Sequence, residues 1–187
     1  PMESIKTNII GAMNLIDVAI EKRVKKVIAL STDKACDPIN FYGATKLASD
    51  KLFIAGNNYV GRKPTSFSVV RYGNVIGSRG SVIPFFLNLK KKNKQLTITD
   101  KRMTRFFTTL DDAVKMVWKG LKNMKGGEIF VLKNPSIKIL DLAKTIDSKP
   151  IKDIGIRPGE KINEVLISRE EADNTYDCGS YYSIVSP

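Results

Sequence analysis

The sequence has no histidine and only two cysteines, Cys36 and Cys178. Without histidine, His-based catalytic triads and most zinc sites are excluded. Two isolated thiols give neither a disulfide framework nor a metal-type spacing, so no metal is expected. Such cysteine usage fits a reducing compartment, and the expected location is cytoplasmic. No apolar run approaches the roughly 20 residues of a membrane helix, and the opening residues are not signal-like, so no membrane partner is expected. Internal repeats and low-complexity tracts are missing as well. One more absence bears on cofactors: the G-x-G-x-x-G turn that opens a dinucleotide-binding sheet occurs nowhere, and the chain heads into a helix from Pro1. The expectation is a chain that starts mid-fold, with about a third of the complete protein, including the pyrophosphate-holding turn, outside it. A chain that never bound a dinucleotide is the other way to read the same absence.

Positive charge, by contrast, is in excess. The net charge is +12, which raises nucleic acid as a partner. Much of it is scattered lysine, however, and the one run, KKKNK at Lys90 to Lys94, follows the apolar VIPFFLNL and reads as the solvated end of a helix. No helix-turn-helix, zinc or aromatic RNA-binding signature accompanies it, so no nucleic-acid partner is expected, and a few of the cations suit a small anionic ligand better. At 187 residues and 42% hydrophobic, the chain is long enough for one good core.

Periodicity alternates between helix and strand. Residues 4–23 place Ile5, Ile9, Met13, Ile16 and Ile20 on one helical stripe, and KKVIALS follows as a short buried strand. FYGATKLASDKLFIAG predicts a helix stopped by Gly56 and the Asn-Asn pair; TSFSVVRYG predicts a strand, GNVIGSRGS a glycine-rich loop and VIPFFLNLKKK a helix. Beyond Thr97 the pattern loosens: a capped amphipathic helix at TLDDAVKMVWKGLKNM, a strand at EIFVLK, a helix at KILDLAKTIDS and a short strand at IKDIGI. Such alternation implies an α/β fold with a doubly wound parallel, Rossmann-like sheet lacking its N-terminal part. Residues 1–95 would form the later part of the dinucleotide-binding domain. Residues 96–187 would be mostly a small α/β substrate-binding lobe, with segments free to return to the main sheet.

The densest chemistry lies in STDKACDPINFYGATK, Ser31 to Lys46. On a helix, Tyr42 and Lys46 stand one turn and about 6 Å apart on the same face. A phenol has a pKa near 10, and a neighbouring ammonium, with a nicotinamide cation close by, is expected to bring it toward the working range. Ser31, Thr32, Asp33 and Lys34 fall where the strand ends, and the carboxyl ends of parallel strands collect ligand-facing groups. A second Tyr-x-x-x-Lys, Tyr59 and Lys63, is interrupted by Gly61 and follows no strand; it is read as coincidence.

With STDKA and YGATK quoted, the chain resembles the extended short-chain dehydrogenase/reductase superfamily. The ordered motifs ALSTDKA, YGATKLASDKLF, FSVVRYGNVIGSRGSVIPFF, DKRMTRFF, GGEIFV and GIRPGEKINEVLI narrow the resemblance to the inverting UDP-N-acetylglucosamine 4,6-dehydratases of pseudaminic acid type, over the later two-thirds of that family. The resemblance implies dehydration through a transient oxidation at carbon 4. Tyr42, supported by Lys46 and Thr32, would take the 4-hydroxyl proton, Lys34 the carbon-5 proton, and Asp33 would protonate the departing 6-hydroxyl. NADP is the implied cofactor, with NAD as the alternative, along Leu30, Ser31, Tyr42, Lys46 and Val75, Ile76, Gly77, Ser78 and Arg79. The implied partner is a UDP-sugar, held by Asn74, Val82, Thr97, Arg105, Arg157 and Glu160. The full-length family members form homo-oligomers. Relatives acting on dTDP-glucose carry Asp-Glu where this chain has Asp33-Lys34, and membrane-linked retaining homologues have Met at the place of Tyr42. The Asp-Lys-Tyr combination favours the inverting enzyme over a sister dehydratase or epimerase; a non-catalytic UDP-sugar-binding fragment is the alternative from another class.

Overall fold

A computed structural model describes residues 1–185. It opens on one long helix in three pieces, α1 (Met2–Ser4), a π-helical stretch (Ile5–Ile10) and α2 (Gly11–Glu21). There follow β1 (Lys26–Thr32), a 3-10 turn (Asp33–Ala35), α3 (Phe41–Gly56), β2 (Ser66–Tyr72), β3 (Asn74–Val75) and α4 (Val82–Lys91). The second half comprises β4 (Thr97–Ile98), β5 (Thr104–Thr108), α5 (Leu110–Asn123), β6 (Glu128–Leu132), β7 (Ser136–Lys138) and α6 (Ile139–Ile146). It closes with β8 (Lys152–Asp153), α7 (Arg169–Ala172), β9 (Thr175–Asp177) and β10 (Tyr181–Val185). No helix among the described residues is long and apolar enough to cross a membrane.

The main sheet has the order β1-β2-β6-β10-β9. Its first three strands are parallel and β10 runs antiparallel to β6, so the expected Rossmann-like parallel core is present. Successive side chains of a strand point to opposite faces, and β2 shows what that does here. Phe67 and Val69 pack into a core with Ile16 and Ala19 of α2 and Phe53 of α3, whereas Val70 joins Met116 of α5 and Phe130. Arg71 therefore lies on the α2–α3 face, where an arginine has no water to meet. A second core, built on Phe86, Leu96, Met103, Phe107 and Ile139, lies under α4 and α6. Its small sheets, β3-β5-β7 and β4-β8, sit beyond the carboxyl ends of β1 and β2.

Two local expectations are corrected. The buried stripe of the first helix runs through Ala12, Ile16, Ala19 and Ile20, and Met13 is exposed. At about 100° per residue, the stripe is centred near Ile16, and Met13 falls at its outer edge, beyond Ile20 and on the side away from the two alanines. The strand expected at IKDIGI shrinks to Lys152–Asp153, which among the described residues pairs only with β4.

Candidate active site

The tip of β1 is organised by Thr32. Its hydroxyl accepts the backbone N–H of Lys34 at 3.4 Å, capping the 3-10 turn, and donates to Asp33 Oδ1 at 2.9 Å. Lys34 Nζ donates to Asp33 Oδ1 and to Asn74 Oδ1, each at 3.0 Å, which ties this tip to β3. Asp33 is fully buried, its Oδ2 has no partner among the described residues, and, unlike Thr32 and Lys34 on either side, it does not line the cavity at this tip.

The first turn of α3 rides directly on this tip. Asn40 caps the helix by accepting from the Gly43 N–H at 2.8 Å. A Cβ on Gly43 would lie 2.3 Å from the Lys34 carbonyl oxygen, so glycine is required for the approach. Tyr42 is thereby set beside Thr32 and Lys34. One turn on, Lys46 Nζ donates to the Leu30 carbonyl at 2.7 Å. Leu30, Ser31, Thr32, Lys34, Tyr42 and Lys46 line a cavity of about 390 Å³ together with Tyr72, Gly73, Asn74, Val75 and Ser78.

The electrostatics differ from the sequence expectation. Burial pushes the Tyr42 phenol above its ordinary value, and Asp33, Tyr72 and Asp50 push it further in the same direction. Burial lowers the Lys46 ammonium, with Asp50 opposing. The lowering expected of Lys46 together with a nicotinamide cation is not produced by the protein's own residues. Desolvation and nearby carboxylates outweigh a lysine whose ammonium is turned to a backbone carbonyl.

A larger cavity, about 570 Å³, opens against the second core. Asn74, Val82, Thr97, Arg105, Arg157 and Glu160 all line it, over an apolar floor that includes Phe86, Met103 and Phe107. Asn74 belongs to both cavities, so they adjoin at this residue. Arg105 is half-committed already: its Nη1 donates to the Thr104 carbonyl at 2.7 Å, and its Nε is 3.9 Å from Glu164. Arg157 is 64% exposed in its side chain and 4.0 Å from Glu160. Ser81 Oγ, on the same wall, is buried without a partner among the described residues.

The loop after β3 is only partly gathered in. Val75 and Ser78 face the Tyr42 cavity, but Ile76 lines a different one with Phe107 and Lys119, and Gly77 and Arg79 are exposed and line neither of the two adjoining cavities. Tyr59 is three-quarters exposed, in keeping with a coincidental Tyr-x-x-x-Lys. Two residues at the end of β2 went unnoticed in the sequence: Tyr72, on the cavity wall, and Arg71, fully buried behind it. Their signal was position, since both fall at the carboxyl end of a parallel strand.

A family model described as polysaccharide biosynthesis protein matches residues 1–186. The chain belongs to that family. Within the polysaccharide biosynthesis family, it is 58% identical over 186 residues to a UDP-N-acetylglucosamine 4,6-dehydratase (inverting) of Campylobacter jejuni, a match covering 98% of this chain and 56% of that protein. It is 44% identical over 189 residues to a UDP-glucose 4-epimerase of Rickettsia canadensis, covering 98% of this chain and 55% of the other. The chain thus spans just over half the length of the curated relatives it matches. Among solved structures, that of Pen from Bacillus thuringiensis superposes with a TM-score of 0.95 at 40% identity, over 100% of this chain and 60% of that one. The dTDP-glucose 4,6-dehydratase of Bacillus anthracis reaches a TM-score of 0.75 at 17% identity, over 88% of this chain and 60% of that one, and shows the fold alone. The resemblance to inverting dehydratases drawn from the motifs is matched by the relatives found.

Proposed function

We propose that this chain carries the catalytic and sugar-nucleotide-holding part of an inverting UDP-N-acetylglucosamine 4,6-dehydratase. Its support is one juxtaposition: Thr32, Lys34, Tyr42 and Lys46 converge on a cavity that meets, at Asn74, a larger one bearing Arg105, Arg157 and Glu160. The hexose sits in the smaller space and the nucleoside diphosphate in the larger, where a guanidinium matches phosphate oxygens in geometry and charge.

The residues present fit a nicotinamide cofactor. Lys46 Nζ spends a donor on the Leu30 carbonyl and has others for ribose hydroxyls, and Val75 and Ser78 line the same cavity. NADP is the proposed form and NAD the alternative. When bound, the cofactor supplies the hydride chemistry, oxidation at carbon 4 and reduction at carbon 6. Tyr42 Oη takes the proton of the 4-hydroxyl, with the Thr32 hydroxyl beside it. A carbon-4 ketone acidifies carbon 5, and the elimination needs the one proton of the Asp33–Lys34 pair to rest on Asp33. Neutral Lys34 Nζ then takes the carbon-5 proton. Asp33 gives its own to the departing 6-hydroxyl from Oδ2, the oxygen that neither Thr32 nor Lys34 engages, leaving ammonium and carboxylate. A proton delivered to carbon 5 from the opposite face by water, with Lys34 releasing the one it took to solvent, inverts that centre.

The test is incubation of the full-length protein with UDP-N-acetylglucosamine, followed by proton NMR. A carbon-6 methyl doublet is expected, and Lys34→Ala should abolish it. Epimerisation at carbon 4 without a methyl signal would replace this function by that of the 4-epimerases. Turnover surviving Lys34→Ala would remove Lys34 as the base.

A further inference from the structure

Behind the smaller cavity, on the α2–α3 face of the sheet, runs a line of buried polar groups, of which Ser31 alone has been given a role, along the cofactor. Ser31 Oγ donates to Asp50 Oδ2 at 2.6 Å. Arg71 Nη2 lies 3.5 Å from that same oxygen. The Arg71 guanidinium also forks onto Glu171, at 2.8 and 3.0 Å, and gives a further bond to the Leu166 carbonyl at 3.0 Å. The four side chains come from β1, α3, β2 and α7, and Asp50 and Arg71 are only 1% and 0% exposed.

Stability alone does not account for this arrangement, because apolar residues of the same volume often hold a core as well as a buried ion pair does. Its placement is more telling. Asp50 lies one turn beyond Lys46 and two beyond Tyr42 on α3, and Ser31 immediately precedes Thr32 on β1. Ser31 is also the register partner of Arg71 across β1 and β2. The Asp50–Ser31 bond therefore joins the helix that bears the phenol to the strand tip that bears Thr32, Asp33 and Lys34.

We propose that Asp50 is a positioning residue, which clamps α3 to the tip of β1 through Ser31 and is itself seated by Arg71 and Glu171. The reaction it serves rests on the dehydratase function proposed above; the clamp rests on geometry alone. Asp50 acts on the site in a second way, through its charge. The groups facing Tyr42 are Asp33, Tyr72 and Asp50, with Lys46 one turn away; those facing Asp50 are Arg71, Ser31 and Lys46. A carboxylate at Asp50 favours the neutral phenol, so removing its charge eases formation of the phenolate.

Two variants separate clamp from charge. Asp50→Asn keeps the shape and an acceptor for Ser31 but loses the charge, whereas Ser31→Ala keeps the charge and loses the tie. In the ligand-free chain, the titration of Tyr42 is followed by the 13C shift of its phenolic carbon, assigned with Tyr42→Phe. Asp50→Asn should move that titration to lower pH, and Ser31→Ala should leave it in place. In the full-length protein, Ser31→Ala should lower kcat roughly tenfold with KM little changed, as expected of a small misplacement at the reacting centre. An unmoved Tyr42 titration in folded Asp50→Asn, together with wild-type kcat in Ser31→Ala, overturns the proposal. Should Asp50→Asn not fold, kcat in Ser31→Ala decides. A shifted Tyr42 titration in a protein without dehydratase activity supports the electrostatic role of Asp50 and defeats the dehydratase function instead.

Discussion

At the scale of single residues, the site depends on atoms that are not there. Gly43 has no Cβ, and one added would meet the Lys34 carbonyl oxygen at 2.3 Å and Pro38 Cβ at 2.9 Å, both part of a tightly packed turn. Gly43→Ala should cost about 2 kcal/mol, as overpacking does, and lower the melting temperature by about 4–8 °C in a thermal scan. Turnover should fall with it, since α3 must lift off the strand tip that Lys34 belongs to. The two cysteines make a contrasting prediction. Burial pushes the Cys36 thiol up to about 12, against the pull of Arg71, while Cys178 is exposed. Only the thiolate attacks a disulfide reagent. One equivalent should react in the native protein at pH 8 and a second only on unfolding; two fast equivalents in the native state would show that the turn after β1 opens freely.

Among the elements, α3 is both the best-read and the most consequential. FYGATKLASDKLFIAG is helical over Phe41–Gly56 as the pattern indicates, because a good cap precedes it and it ends on Gly56, with Asn57 next. The cap also does a second job. Asn40 accepts from Gly43 and donates to the Gly159 carbonyl at 2.9 Å, so the start of the Tyr42 helix holds the RPGEK loop that carries Arg157 and Glu160. Asn40→Ala should destabilise the fold by about 1 kcal/mol in urea melts and weaken UDP binding, read by calorimetry, more than it weakens catalysis. Other elements were not legible. β5 was quoted as a motif, DKRMTRFF, but its TRFFT run is too short to show a period, and it pairs with β3 and β7 through partners distant in sequence. β9 and β10 have no counterpart among the elements predicted from the sequence; they are strands because β6 offers β10 an edge to pair with. Local pattern shows where a strand is possible, and the neighbouring strand decides it.

For the whole molecule, the parts of the site nearest one another in sequence were the parts that local pattern could read, while Asn74, Val82, Thr97, Arg105, Arg157 and Glu160, spread along the chain, were legible only through the family resemblance. Ser31 to Lys46 carries its own geometry in one strand, one turn and one helix, whereas Arg71 and Glu171 meet across 100 residues and leave no local sign. A lone Asp or Glu in a polar stretch reads as a solvated face, and only the folded chain shows it enclosed. The enclosure has a pH signature. Burial pushes the Glu171 carboxyl up, but the Arg71 guanidinium and the Ser168 N–H outweigh it and leave Glu171 below its ordinary value. Stability from this group is present above the unfolded carboxyl value and lost as pH falls through the lower, folded one. Asp50 has the opposite sign: burial leaves it raised despite Arg71, so its contribution is present below the unfolded value and fades as pH rises through the folded one. Glu171→Gln removes the first effect and spares the second. It should cost about 3 kcal/mol at pH 7, since it strands a fully buried guanidinium with only Asp50 opposite. Urea melts of both proteins from pH 7 down to pH 3 should then converge, as the wild type protonates the carboxyl that the variant lacks. A gap that stays constant over that range would mean that Glu171 serves as a hydrogen-bonding cap for α7, without the charge that seats Arg71 against the active-site helix.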